Sequence, residues 1–433
     1  MKTIGRFCLK KSMQLCMLIS LFSPFNTAFS ADNQSAKDNG NLTDFIEYKG
    51  VIVDKKTGNQ LAFASMNVIG TNISVVSNSE GQFLLKLLKS NSNPKVSVSF
   101  IGYKNKQVAL VNSSPDKLRI ELDPTSVQLP ELSVLSKDAT ELMRAVLAKK
   151  EQNYSVSPTL MTAFYRETIK KNKTYASLSE AVVEINKQPY SSSKSDVVRL
   201  FKSRKKTDYA KLDTISFKLM GGPFNSLYLD VMKYPEVLFT EDMMENYEFT
   251  FDKSTYTDKE MIYVIDFRQQ HNKTEPLYAG KLFIDAQTLA LKSAVFSLNV
   301  SDKEESSKLF IKHKPLNARV FPYEAKYRID YREKDGKWYY GYSRIELGMK
   351  VVWKKRLFNT NYFSTVEMSV TDWGINAEKK SISYKDQLKP SVIISDEASG
   401  FSDPQFWGEF NVIEPEKSIE TAIKKIQKQL EKN

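Results

Sequence analysis

Between Ile46 and Asp123 no apolar run lasts long enough to make a helix before turn-forming residues interrupt it. The runs FIEYKGVIVD, ASMNVIG, SVVSN, GQFLLKL, KVSVSFIGY, KQVALV and KLRIEL are split by Lys56-Thr57-Gly58-Asn59, Asn78-Ser79-Glu80-Gly81, Ser92-Asn93-Pro94 and Ser113-Ser114-Pro115-Asp116. Short β-prone runs with a break every eight to twelve residues or so predict a seven-stranded β-sandwich. Val96, Val98 and Phe100 alternate with Ser97 and Ser99, which gives that strand one buried and one wet face.

A second strand-rich stretch runs from Leu160 to about Trp373, with longer runs richer in tyrosine and phenylalanine. Asp335-Gly336 between two aromatic runs is the strongest hairpin signal in the chain, and Lys170 to Lys173 marks a second hairpin. A meander of this length predicts a large curved antiparallel sheet, a half-barrel wrapped around an apolar hollow. The candidate ligand-binding residues in that hollow are Tyr263, Phe267, Tyr278, Phe283, Phe296, Tyr327 and Tyr331, because aromatic rings line lipid grooves as well as filling cores. Asp213 to Tyr234, with Gly221-Gly222-Pro223, reads as short helices or a loop over the sheet. Lys137 to Gln152 reads as one amphipathic helix with Leu142, Met143, Val146 and Leu147 on its apolar side, a hinge between domains. The aromatic segment Asp403 to Asn411 is expected to dock on the sheet, and Ser418 to Lys432 to form a closing helix.

The first thirty residues read as an export signal. Lys2, Arg6, Lys10 and Lys11 precede the apolar run Met13 to Phe22, and Ala28-Phe29-Ser30 suits cleavage before Ala31. Cys8 and Cys16 both fall in this leader and come directly after Phe7 and Leu15, which does not fit a lipid-anchor signal. No later stretch reaches the roughly 20 apolar residues of a membrane-spanning helix. The expectation is a periplasmic or envelope-associated protein without a transmembrane segment. The net charge of +12 includes the four leader cations. For an exported chain such a balance points to anionic lipids or acidic glycans rather than to nucleic acid.

Catalytic signatures are sparse. The two histidines, His271 and His313, stand far apart in polar surroundings, and no zinc-ligand spacing occurs. There is no Gly-x-Ser-x-Gly elbow, and Gly221-Gly222-Pro223 puts a proline where a phosphate cradle needs amide donors. No cofactor or metal is expected. Carboxylates can still meet in space, and Glu167, Glu180, Glu184, Asp230 and Asp266 lie on strand-like runs. Glu180 and Glu184 share a face if that run is a strand. They carry the alternative reading, a glycan- or lipid-directed hydrolase with paired carboxylates in the concave sheet.

Several of these residues also carry a resemblance. Gly50-Val51-Ile52-Val53-Asp54, Thr57-Gly58, Leu61, Ala64, Val68, Gly70-Thr71-Asn72, Asn78, Gly81-Gln82-Phe83 and Ser99-Phe100-Ile101-Gly102-Tyr103 occur in this order. Together with Leu129 to Val134 they resemble the carboxypeptidase-regulatory-like (transthyretin-like) domain found at the front of outer-membrane nutrient receptors. Ser74 departs from that pattern where a glycine is frequent. The chain beyond Val134 is too short to be the barrel of such a receptor. The run Tyr278 to Leu298 is similar to hairpins of the periplasmic lipoprotein-carrier fold, whose curved sheet binds acyl chains. The layout from residue 135 onward resembles uncharacterised envelope proteins, which imply no activity.

The chain is therefore expected to be mainly β. Its parts are a signal peptide (1–30), a flexible lead-in (31–45), the sandwich (46–124), a linker with a helix (125–158) and an antiparallel domain with a C-terminal helix (159–433). The expected function is non-enzymatic binding or scaffolding, with a lipid, a lipoprotein or an outer-membrane protein as partner.

Overall fold

The computed structural model describes residues 18–22, 45–91, 93–110, 118–125, 138–207, 216–258, 260–271, 275–314, 316–354, 359–378, 380–398 and 406–421. The protein is mainly β. Within the expected leader, β1 (Leu18–Phe22) pairs antiparallel with β12 (Ser216–Met220) and parallel with β18 (Ile311–His313).

The sandwich has seven strands. One sheet has the order β5-β2-β8, from Gln82–Leu88, Phe45–Asp54 and Leu118–Leu122. The other has the order β4-β3-β6-β7, from Ser74–Val76, Ser65–Val68, Lys95–Ser99 and Lys106–Ala109. Their inner faces share one core that includes Ile52, Met66, Phe83, Val96, Val98 and Ile120. Val96 and Val98 point inward and Ser97 and Ser99 outward, as the alternation predicts.

The second sheet has eleven strands. These are β9 (Thr159–Lys171), β10 (Thr174–Lys187), β11 (Val197–Thr207), β13 (Tyr247–Phe251), β14 (Thr255–Thr257), β15 (Glu260–Gln269), β16 (Tyr278–Asp285), β17 (Leu291–Leu298), β19 (Ala318–Lys334), β20 (Lys337–Trp353) and β21 (Thr360–Ile375). The order is β11-β10-β9-β21-β20-β19-β17-β16-β15-β13, with β14 beside β15, and all neighbours are antiparallel. Asp335 and Gly336, both at positive φ, form the β19–β20 turn.

This order puts β11 and β13 at opposite edges although they are consecutive in the sheet's chain order, so the segment between them has to cross a face. It crosses the apolar one. The crossing enters at Gly221, whose φ of 111° suits only glycine. It continues through the helix Pro223–Tyr228, the 3-10 turn Pro235–Val237 and the helix Glu241–Met244. Phe224, Leu227, Leu229, Val231, Met232 and Phe239 sink into the same core as the sheet's inner face. The sequence predicts a hollow there. The concavity is instead filled by these side chains, because the edge-to-edge connection carries its own apolar load.

The helix Ala139–Ala148 starts at the cap Asp138, whose carboxylate accepts from the Thr140 amide. It buries Ala139, Leu142, Met143 and Val146 in the sheet's core near β13, so it packs with the sheet domain rather than standing free as a hinge. Lys149 interrupts the predicted helix, which resumes as Lys150–Asn153. At the C-terminus, Trp407, Val412 and Ile413 dock against Phe164, Val182 and Tyr342 on the sheet's outer face. Of the predicted closing helix, residues 417–421 are helical and the rest lies outside the described residues.

Candidate functional site

Strand parity sorts the seven candidate aromatics. Tyr263, Phe267, Tyr278, Phe296, Tyr327 and Tyr331 alternate onto the inner face and are buried in its core. Phe296 stacks on Tyr327 at 5.3 Å, and Tyr278 meets Phe296 edge-on at 5.5 Å. Phe283 lies half-buried on the opposite face, because its neighbours Leu282 and Ile284 occupy the inner positions of β16. The six rings thus form one wall, closed by the crossing segment.

One polar cluster pins that segment down. The Lys187 ammonium, buried at the end of β10, lies 2.8 Å from Asp196 and 2.9 Å from Asp230 of the crossing segment. Tyr331 donates to Asp230 at 2.8 Å and Tyr234 donates to Asp196 at 3.2 Å. Burial opposes the charge on Lys187, but the two carboxylates outweigh it and hold its pKa well above the ordinary value. Lys233 adds bonds to the carbonyls of Pro189 and Ser192. The strand pattern singles out Asp230 but not Lys187 and Asp196, whose meeting depends on the register of β10 and on the crossing.

The remaining carboxylate candidates do not gather into one site. Glu180 is buried on the outer face between Arg166 (2.7 Å) and Arg204 (2.7 Å). Burial raises its pKa, but the two guanidinium groups outweigh that and hold the carboxyl ionised. Glu184 pairs with a different arginine, Arg199, at 2.9 Å. Asp266 lies partly exposed, 3.4 Å from Lys281. Glu167 stands apart on the inner face, where burial pushes its pKa up to about 7 against a hydrogen bond from Tyr165 at 2.8 Å. His271 is exposed in a turn. Among the described residues, no three His, Cys, Asp or Glu side chains are grouped to hold a metal ion.

The outer face carries a buried charge network beneath the sandwich and the C-terminal segment. Arg344 holds Glu367 at 2.5 Å and Glu346 at 2.8 Å, and Tyr342 donates to Glu367 at 3.0 Å. Arg166 also donates to the Ile413 carbonyl at 2.7 Å. Ser74, the departure from the regulatory-like pattern, is fully buried here. Its hydroxyl bonds the Val370 carbonyl at 3.1 Å and also receives Arg332.

Residues 48–134 match the model of the CarboxypepD_reg-like domain. No curated protein matches the chain. Among solved structures, the chain is similar to a DUF1329 family protein from Desulfovibrio piger, at 11% identity over 57% of this chain and 97% of that one, with a TM-score of 0.24. It is similar to a LolA superfamily protein from Nitrosomonas europaea at 8% identity, over 57% and 97% of the two chains, with a TM-score of 0.24. It is also similar to lipovitellin at 8% identity, over 57% of this chain and 28% of that one, with a TM-score of 0.25. Among the described residues no helix is long and apolar enough to cross a membrane.

Proposed function

We propose that this is a non-enzymatic binding protein of the cell envelope, exported to the periplasm, whose inner sheet face accepts an apolar chain when the 216–244 segment is displaced. The ligand is the tail of a lipid or the acyl group of a lipoprotein. The observation that carries this reading is the nature of the cover. A curved, aromatic-walled apolar face is closed by small separate pieces, namely the short helical turns of residues 221–244, the Ala139–Ala148 helix and strands β12 and β18 of the small sheet, rather than by one large second layer. That cover brings Met232, Met243 and Met244 to the face, and methionine repacks around varied apolar partners more readily than branched residues do. Its buried ionic attachment is at Lys187, while the pairs Lys218–Asp396 and Arg144–Glu241 at its two ends are largely solvated, so the buried cluster has the greatest hold on closure and release.

The test is direct. Native protein is extracted with organic solvent for mass spectrometry, and uptake of a fluorescent fatty-acyl probe is measured for wild type and Asp230→Asn. Wild type should carry extractable lipid or take up the probe, and the variant, with the attachment to Lys187 weakened, should take it up faster. Bare protein with no uptake in either form would sink the proposal.

A further inference from the structure

We propose that the cleft between the sandwich and the outer face of the large sheet binds a small sugar-like molecule carrying an anionic group. The site is separate from the inner face and does not depend on lipid binding there. The cleft encloses about 360 Å³, within the range of small-molecule sites.

Its sandwich wall is the wet face of β3 and β6, where the cross-strand pairs Ser65–Ser99 and Asn67–Ser97 present four small polar side chains. Its sheet wall includes Thr257, the cations Lys292, Arg328 and Arg332, and the acids Glu260, Asp285, Asp330 and Glu333. Of these acids, Asp330 is held by Arg328, and Glu260 and Asp285 face Lys292. Four of the residues that line it each carry a buried polar atom without a hydrogen-bond partner: Ser65 Oγ, Asn67 Oδ1, Thr257 Oγ1 and Arg332 Nη2. Buried polar groups in folded proteins are nearly always satisfied, so four in one cleft, drawn from both domains, mark a place where partners arrive from outside.

Arg332 sets the charge of that partner. It is 7% exposed and lies flat against Gly341, where a Cβ would come within 2.9 Å of its Cγ. Its Nη1 is spent on two neutral acceptors, the Ser74 hydroxyl and the Val370 carbonyl. The nearby Asp330 is already held by Arg328 at 2.6 Å and by Ser293 at 2.6 Å. Burial therefore lowers the guanidinium pKa to about 10, and the free Nη2 lacks a carboxylate or phosphate oxygen. Asn67 Oδ1 needs a donor, and the two hydroxyls can give or accept. A bare anion would leave Asn67 facing negative charge. A molecule with both hydroxyls and an acid group satisfies all four atoms.

The test is calorimetric titration and thermal unfolding of the full protein with glucuronate, glucose 1-phosphate, glucose and inorganic phosphate. One or both sugar acids should bind at least about tenfold more tightly than glucose or phosphate, a gap worth one charge-assisted hydrogen bond. The two sugar acids distinguish a carboxylate ligand from a phosphate one. Arg332 also joins the domains, so the variants are Thr257→Val and Asn67→Leu, which remove the unpartnered atoms without touching the interface bonds. Each should weaken binding about tenfold while leaving the unliganded midpoint unchanged or higher. No binding of either sugar acid up to about 10 mM, equal binding of free phosphate, or variants that bind as wild type does would each overturn the assignment.

Discussion

On the inner face of the large sheet, Leu282, Ile284, Phe296 and Tyr327 meet Leu227, Met232 and Phe239 in one apolar core. On the outer face the same sheet presents Arg166, Glu180, Arg344 and Glu367, buried as ion pairs under the sandwich and the C-terminal segment. Both of these clusters are buried, but they hold their covers in different ways. Apolar contact is non-directional and roughly proportional to area, so it tolerates sliding and repacking. Buried ion pairs demand one geometry, because a displaced partner leaves a charge unmatched in low dielectric. The sheet thus combines a cover that is adaptable except at its one buried cluster around Lys187 with a cover locked along several strands, and the more locked side is where the sandwich sits.

The largest effect that can test this contrast is on the locked side. Glu180→Ala strands both Arg166 and Arg204, and should cost about 3–5 kcal/mol in urea unfolding. A loss below about 1 kcal/mol would show that the network is loosely hydrated, and the contrast between faces would fall. On the adaptable side, Leu227→Ala should cost about 3 kcal/mol through the cavity it leaves, whereas Met232→Leu should cost less than about 1.5 kcal/mol. If Met232→Leu proves as damaging as Glu180→Ala, the inner cover is as exacting as the outer one and could not release a ligand-sized space.

The legibility of these features in the sequence depends on how local each signal is. The alternation of Val96 and Val98 with Ser97 and Ser99 needs only period two, and it correctly marks the wet face that forms the cleft wall. Parity also suffices to exclude Phe283, since Leu282 and Ile284 flank it. The filled concavity is not legible, because it depends on β11 and β13 being opposite edges, a fact of strand order rather than of any segment. The pairing of Arg166 with Glu180 likewise requires the β9–β10 register, which sets the two residues directly opposite. Glu180 and Glu184 share a face as expected, yet their partners are arginines, and nothing within β10 itself announces that.

A middle-sized effect separates the faces by pH. Glu167 is a buried inner-face acid held by the Tyr165 hydroxyl rather than by a cation, and its pKa is pushed up to about 7 from an ordinary value of 4.5. Between those values the folded protein holds a proton that the unfolded chain has released. Stability from this group is therefore present in full below about pH 4.5 and is lost as pH rises through about 7. Glu167→Gln should remove this fall. It should leave stability near pH 4.5 little changed and raise it at pH 8 by roughly 2–3 kcal/mol, as read by denaturant midpoints at both pH values. Parallel pH profiles for wild type and variant would show that Glu167 is solvated, and that the inner face is wetter than its packing indicates.

The smallest effect lies at the seam, where Phe63 of the sandwich reaches the outer face. Its ring stacks on Tyr342 at 5.6 Å and lies over Arg344 at 5.1 Å and Arg328 at 5.4 Å, while its φ of 64° is left-handed. A bulky residue in that region carries roughly 1–3 kcal/mol of strain. The ring contacts return a similar amount, about 0.5–1.5 kcal/mol for the aromatic pair and about 0.5–1 for each cation. Phe63→Leu keeps the strain and forfeits the ring contacts, and should lose about 1–2 kcal/mol. Phe63→Gly forfeits the same contacts but relieves the backbone, and should lie within about 1 kcal/mol of wild type. If glycine is the worse of the two in thermal unfolding, the strain is small and the aromatic anchor alone holds the seam. If the two variants rank as expected, the register-locked face tolerates backbone strain in the sandwich in order to place one ring over two arginines.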